Sequence, residues 1–353
     1  MSEIKLELTP RSRFDLINVA DQVAEQFGDD PLRAYRKAIY CSYHTTAGYL
    51  EENLCARLGH SREAIEAYCA SFQHLFPPNG PYRHDQMELR DELSDEQKTC
   101  EPLNADSHLT FMGAGLENCV TYRKDPNTPV YFIDLDGVHV GGTRTRQTTI
   151  IGYNTDEQVT EVEFAIPVSH HAVDSINLRD PKLGLFDEMQ TLIRHFEIPK
   201  GRIELMLDYD ESNAGLTVNE YETLLMKHDL AEVLQDPLRF MAQKGKRVLR
   251  DPSLLAQKAK DYAKYDLVQF INEISDALGL NETKVQRLID KFFAASASRF
   301  LRMKRSVTLM VNNTDEYGIG SIIHGKYQSP ILVQWKKSSS QTRRIRARFV
   351  RFD

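Results

Sequence analysis

The sequence predicts an α+β chain made of two tandem copies of one domain, each an antiparallel sheet with helices. Three observations predict it. Short blocks recur in the same order in the two halves; β-rich alternating runs recur with them; and stretches of helical periodicity lie between the runs. A chain of 353 residues is long enough for two domains, and 41% hydrophobic with 27% charged residues is ordinary for a globular protein.

The repeat comes first. Tyr40-Cys-Ser-Tyr-His-Thr-Thr-Ala-Gly48 parallels Leu207-Asp-Tyr-Asp-Glu-Ser-Asn-Ala-Gly215. Leu109-Thr-Phe-Met112 is matched with Val307-Thr-Leu-Met310, and Thr128-Pro-Val-Tyr-Phe-Ile133 with Ser329-Pro-Ile-Leu-Val-Gln334. Thr143-Arg-Thr-Arg-Gln147 pairs with Thr342-Arg-Arg-Ile-Arg346, and Phe14-Asp-Leu-Ile-Asn-Val19 with Val173-Asp-Ser-Ile-Asn-Leu178. Ala47 and Ala214 are 167 positions apart, Met112 and Met310 are 198, so this alignment gives the second copy 31 extra residues between those blocks. The expected domains are 1–157 and 158–353, with a helical insertion at about 231–300.

Taken in order, strands are expected at 4–8, 38–43, 130–135 and 145–152, then at 162–167, 203–209, 307–311, 331–335 and 343–352. Helices are expected at 14–27, 48–58, 61–72 and 251–265. Within the insertion, Leu267, Phe270, Ile271 and Ile274 form one apolar stripe and Val285, Leu288, Ile289, Phe292 and Phe293 another. Gly279 ends the first of these helices and Asn281 can cap the second.

Composition narrows the function classes. The five cysteines, Cys41, Cys55, Cys69, Cys100 and Cys119, show no CxxC spacing and read as reduced cytosolic thiols. The longest apolar runs are too short to cross a bilayer, and the N-terminus carries no secretory pattern, so a cytoplasmic protein without a membrane partner is expected. A net charge of −7 argues against nucleic acid as the default partner. The basic runs Lys244-Gly-Lys-Arg247, Arg302-Met-Lys-Arg305 and Arg343-Arg-Ile-Arg-Ala-Arg348 lack interleaved aromatics and read as solvated faces, with phosphate contact by the closing arginines as the modest alternative.

Three histidines stand beside small polar residues: His44 in His-Thr-Thr-Ala-Gly, His84 in Tyr-Arg-His-Asp and His108 in Asn-Ala-Asp-Ser-His. Three imidazoles suit a zinc-like divalent metal and leave a fourth position open. Spacing alone is weak support, and satisfied surface or core histidines are the competing reading. His60, His74 and His139 have no comparable setting.

These motifs resemble the YjbQ family, the secondary thiamine-phosphate synthase type. The resemblance is carried by Tyr43-His-Thr-Thr-Ala-Gly48 with Glu52-Asn53, by Tyr82-Arg-His84-Asp85, by Asn104-Ala-Asp-Ser-His108, and by Asp134-Leu-Asp136 through Gly141-Gly-Thr-Arg144. It covers residues 3–154 in order, and the second half looks like a degenerate copy. The resemblance implies a trimerising α+β domain in which His44, His84 and His108 gather around a metal or anion. It also implies a weak thiamine-phosphate synthase reaction that expels pyrophosphate. Such a step needs positive charge over the leaving group, for which Arg144 or Arg146 is placed, with Thr45, Thr46 and Ser107 donating to phosphate oxygens. The family's Gly-Thr-Trp-Gln segment is replaced by Asn127-Thr-Pro-Val-Tyr131. Imidazole clusters also suit metal-bound hydroxide better than magnesium-assisted diphosphate chemistry. A metal-dependent phosphoester hydrolase with Asp136 or Glu52 as general base therefore stands beside the synthase reading. A non-catalytic protein holding a small phosphorylated ligand is the third.

In the second copy Glu211 aligns with His44, Ser212-Asn213 with Thr45-Thr46, and Ser306 with His108. The three-imidazole site is expected to be lost there, leaving that copy as scaffold.

Overall fold

The computed structural model describes residues 1–28, 30–139, 142–235 and 303–353. The first repeat runs β1 (Ser2–Leu8), β2 (Asp15–Asn18), α1 (Val19–Phe27), β3 (Lys37–Ser42), β4 (Ala47–Gly48), α2 (Glu52–Arg57), α3 (Arg62–Leu75), α4 (Asp95–Cys100) and α5 (Ala105–Ala114). It closes with β5 (Cys119–Arg123), β6 (Tyr131–Asp134), the short pair β7 (Val138–His139) and β8 (Gly142–Thr143), and β9 (Arg146–Tyr153). The second repeat has β10 (Asp156–Pro167), β11 (Asp174–Asn177), α6 (Leu185–His195), β12 (Gly201–Leu207) and β13 (Ala214–Glu220). A π-helical turn (Leu225–Asp229) then leads into α7 (Leu230–Gln235), and β14 (Ser306–Asn312), β15 (Ser321–Ile323), β16 (Gln328–Gln334) and β17 (Thr342–Phe352) follow. Beyond residue 235 the expected insertion at 231–300, with the helix at 251–265, lies outside the described residues.

Sheet order shows that the duplication is structural. The main sheet of the first repeat is β1-β9-β3-β5; that of the second is β10-β17-β12-β14-β15. The smaller sheets are β2-β6-β4 and β11-β16-β13. Strand by strand these are one antiparallel topology, with β15 added at an edge. The chain is α+β, as its patterning requires.

Strand registers revise two of the matched blocks. Leu109-Thr-Phe-Met112 lies in helix α5, whereas Val307-Thr-Leu-Met310 is strand β14, so they are not counterparts. The counterpart of β14 is β5: Cys119-Val-Thr-Tyr faces β3 as Ser306-Val-Thr-Leu faces β12. Val120 and Val307 are 187 positions apart, so the excess over the Ala47–Ala214 separation is 20 residues rather than 31. Asp134 and Gln334 also occupy one place, each pairing with the first residue of the alanine strand (Ala47, Ala214), which moves that match by one residue. The same geometry shows that Ser306 does not stand where His108 stands.

Residues 14–18 were expected as the start of a helix. Instead 15–18 pair with β6, and Asn18 turns the chain into α1 by accepting the N–H of Ala20 at 3.1 Å. Asn177 does the same for Arg179 at 2.9 Å. The β-strand pairing outcompetes a helical pattern that was apolar enough for either state.

The described residues form two compact units. One comprises Met1–Leu54, Gly115–Tyr221 and Met303–Asp353 and contains the sheets of both repeats. The other comprises Cys55–Ala114 and Glu222–Arg302.

In the sheet unit, β12 alternates buried and half-buried residues, and β17 sends Ile345, Ala347 and Phe349 into the core of the second repeat. Arg344, Arg346 and Arg348 emerge on the other face, where Arg346 and Arg348 meet Glu161 at 2.8 and 3.0 Å; Arg343 is buried, and near the end of the strand Arg351 meets Glu157 at 2.6 Å. The basic closing strand is thus one side of a cross-strand ion-pair ladder. Ile39, Cys41, Cys119, Ile151 and Tyr153 of the first repeat share an apolar cluster with Met310, Val350 and Phe352 of the second. There the Tyr153 and Phe352 rings stack at 4.0 Å between centroids.

In the helical unit, Ser61 caps α3, and α3 packs on α5 with Tyr68 Oη donating to the Ala114 carbonyl at 2.9 Å. Every residue of α5 is buried, polar ones included. That explains why its sequence carries no one-sided apolar stripe.

Candidate functional site

The sheet unit holds His44, Thr45, Thr46, Glu52, Asp136, Arg144 and Arg146; the helical unit holds His84, Ser107 and His108.

In the sheet unit the site begins with a buried ion pair. Arg146, at the head of β9, gives Asp134, at the end of β6, two hydrogen bonds of 2.6 and 2.7 Å through Nε and Nη2. The same Nη2 donates to the Asp136 carbonyl at 3.0 Å and to Thr46 Oγ1 at 3.3 Å. Burial pushes the Asp134 carboxyl above its ordinary value in spite of that arginine. Arg144 Nη2 donates to the fully buried Asp136 at 2.8 Å. Both arginines expected over a leaving diphosphate are therefore already neutralised by aspartates two residues apart.

His44 accepts the Gln147 backbone N–H at Nε2, 2.8 Å. Nδ1 therefore carries the proton in the neutral ring. Burial pushes the imidazole down to about 3, and the positive charges of Arg146 and Arg144 push the same way. The Thr45 carbonyl accepts from Asn219 Nδ2 at 3.2 Å. Glu52, expected as a general base, directs Oε1 at the Arg123 backbone N–H, 3.1 Å, and supports the end of β5 instead.

The second repeat rebuilds this corner with other residues. Arg343 takes the place of Arg146: Nε faces Gln334 Oε1 at 3.3 Å and Nη2 donates to the Lys336 carbonyl at 2.6 Å. Glu211 takes the place of His44, its Oε1 accepting the Arg344 N–H at 2.9 Å and its Oε2 meeting Arg343 Nη1 at 2.8 Å. The sequence match had set Arg144 against Arg343; the contacts set Arg146 there.

In the helical unit, His84 Nδ1 lies 2.8 Å from Glu222 Oε2. Burial alone would raise the Glu222 carboxyl, but hydrogen bonds from His84 and from the N–H groups of Leu224 and Leu225 outweigh it and bring it down to about 2. Glu222 is thus an ionised acceptor, and His84 Nδ1 is the donor. Asp229 fixes the backbone around the histidine, accepting the N–H of Arg83 and of His84 at 3.0 Å each. His84 Nε2 faces Asn104 Oδ1 at 3.4 Å. The His108 ring meets His84 edge to face, centroids 5.3 Å apart. Ser107, Asp106 and Thr110 are buried in the same helix.

Among the described residues no group of three or more His, Cys, Asp or Glu side chains is arranged to hold a metal ion. His44 Nε2 is taken by the Gln147 N–H, whereas a carboxylate on His84 Nδ1 is the support a metal-ligating imidazole ordinarily has, so of the zinc-like centre expected of His44, His84 and His108 the donor chemistry at His84 fits and that at His44 does not. Asp134, Glu222 and Asp229 were missed. Asp134 had a signal in Asp-Leu-Asp136; the carboxylates of the second repeat had none, because they lie 138 or more positions from His84.

No family model and no curated protein matches the chain. Solved structures do. The neighbours are YjbQ-family proteins. A YbjQ-like protein of unknown function from Sulfolobus solfataricus is similar over 56% of this chain and 99% of its own, at 12% identity and a TM-score of 0.28. An uncharacterized conserved protein of the yjbq family from Clostridium acetobutylicum covers 54% and 99%, at 12% identity and 0.27. A hypothetical protein from Aeropyrum pernix covers 54% and 98%, at 12% identity and 0.28. At such identities YjbQ likeness carries no residue roles over to this chain. Of the described helices, none is long and apolar enough to cross a membrane.

Proposed function

We propose that the protein is an enzyme of YjbQ type acting on a small phosphorylated molecule, with His84 as the proton-transfer group and Glu222 as the residue that positions it. The observation that carries this is the buried His84–Glu222 pair at 2.8 Å, set against His108 in a helix whose Ser107, Asp106 and Thr110 are also buried. Enclosing so many polar groups costs stability that apolar residues of the same size would not cost, and such clusters concentrate at reactive centres. A carboxylate on Nδ1 fixes the ring and its tautomer, and proton exchange would then take place at Nε2, the nitrogen that faces Asn104. The phosphorylated class follows from the motif resemblance.

Of the two reactions, hydrolysis or another proton-transfer step suits this geometry better than expulsion of pyrophosphate. Arg144 and Arg146, the two arginines expected over the leaving group, are tied to Asp136 and Asp134. The test is a phosphoester panel beside a thiamine-phosphate synthase assay, run with His84→Gln and Glu222→Gln. His84→Gln is expected to lower kcat/KM about 10²–10⁴-fold. Glu222→Gln is expected to shift the pH profile while the protein stays folded by circular dichroism. Turnover unchanged in both variants, or stoichiometric metal in the purified chain that His84→Gln removes, would replace this reading.

A further inference from the structure

The corner rebuilt around Arg343 opens into a cleft of about 340 Å³, between residues 210–213 and the turn that joins β16 to β17. We propose that this cleft binds the phosphate group of a small phosphate ester. The cleft shares no residue with the His84 centre, and the two readings stand or fall independently.

Charge is the first argument. Lys336, Lys337, Arg343 and Arg344 line the cleft, against the carboxylates of Asp210 and Glu211. Glu211 is engaged by Arg343 Nη1 and the Arg344 N–H, and Arg344 Nη2 is shared by the exposed Asp210 at 3.3 Å and by Asp208 at 3.1 Å. Lys336 and Lys337 are exposed and form no ion pair with the described residues. Ser339, at the tip of the turn, adds an exposed hydroxyl. An excess of ammonium groups beside hydroxyl donors, in a concave wall, is complementary to a phosphate dianion.

The second argument is what the two repeats have exchanged. In the first, the corresponding arginine is bracketed by Asp134 and by the carbonyl of Asp136. In the second, Gln334 and Lys336 stand in those two places. The two aspartate positions have become a neutral amide and a lysine, while the His44 position has become Glu211, which pairs with Arg343. Arg343 keeps a carboxylate partner in Glu211, and the ammonium group of Lys336 is the charge that the exchange leaves without one among the described residues. No aromatic side chain lines the cleft, so it offers no stacking platform for bases, and its volume lies at the lower end for small-ligand clefts.

The experiment is calorimetric titration of the full-length chain with ribose 5-phosphate and with inorganic phosphate, in physiological salt. The variant K336A/K337A removes two exposed lysines and leaves the buried Arg343–Glu211 pair in place. It is expected to weaken binding about tenfold or more, the loss of one or two charge-assisted hydrogen bonds. A control variant, K5A/K98A, carries the same charge change elsewhere and is expected to bind as the parent does, as is His84→Gln. The proposal is overturned if neither ligand binds, if K336A/K337A binds as the parent does, or if the control loses as much affinity as the cleft variant. It is overturned equally if a DNA duplex binds with steep salt dependence and ribose 5-phosphate does not.

Discussion

At position 44 an imidazole and at position 211 a carboxylate perform one task, accepting a backbone N–H from the closing strand of their repeat. The requirement there is an acceptor of suitable reach, not a histidine. His44→Gln, which keeps an acceptor, is expected to leave stability near neutral pH almost unchanged, and His44→Phe to cost about 0.5–1.5 kcal/mol in chemical denaturation. The acid limb is sharper. The imidazole is held at about 3 in the folded chain, below its ordinary 6.5, so the unfolded chain binds the proton first. Stability from this group is complete above about pH 6.5 and is lost as pH falls toward 3. His44→Gln should flatten that part of the stability profile, seen as a smaller difference between urea midpoints at about pH 7 and about pH 4.5. An unchanged difference would place the acid sensitivity elsewhere.

At the scale of elements, the bond between β6 and β9 through Asp134 and Arg146 is the contact to break. Both partners are almost fully enclosed, and removing one leaves a buried charge alone. Asp134→Ala is expected to destabilise by about 3–5 kcal/mol. Asp134→Gln, which imports the residue of the second repeat, should cost less, and equal midpoints for the two variants would show that the pair contributes little. The strands themselves were legible in the sequence, since alternation along 4–8, 203–209 and 343–352 reports which face is buried. The register was not. Val-Thr at 120–121 and at 307–308 is the true correspondence, but Leu-Thr-Phe-Met at 109–112 looked like β14 and proved to be helix. Four residues carry too little periodicity to tell a buried strand from a buried helix.

For the whole molecule, duplication was readable because collinear blocks survive divergence. The assembly of the parts was not, because it is made by contacts distant in sequence. His84 depends on Glu222 and Asp229, and Tyr153 stacks on Phe352. No local pattern announces either. Phe352→Ala should cost about 3–5 kcal/mol and lower the unfolding midpoint of the sheet unit as a single transition. Two separated transitions, with only the second repeat shifted, would mean that the shared apolar cluster does not couple the repeats.

Helix α5 is walled in on every side yet carries Asp106, Ser107, His108 and Thr110. Ten residues of that composition have little reason to coil on their own in water. The helix must therefore form as its surroundings close over it, and its amides should be among the last in the helical unit to exchange deuterium. Rapid exchange there would mean that the enclosure opens often, and that the interior histidines meet solvent on the same timescale.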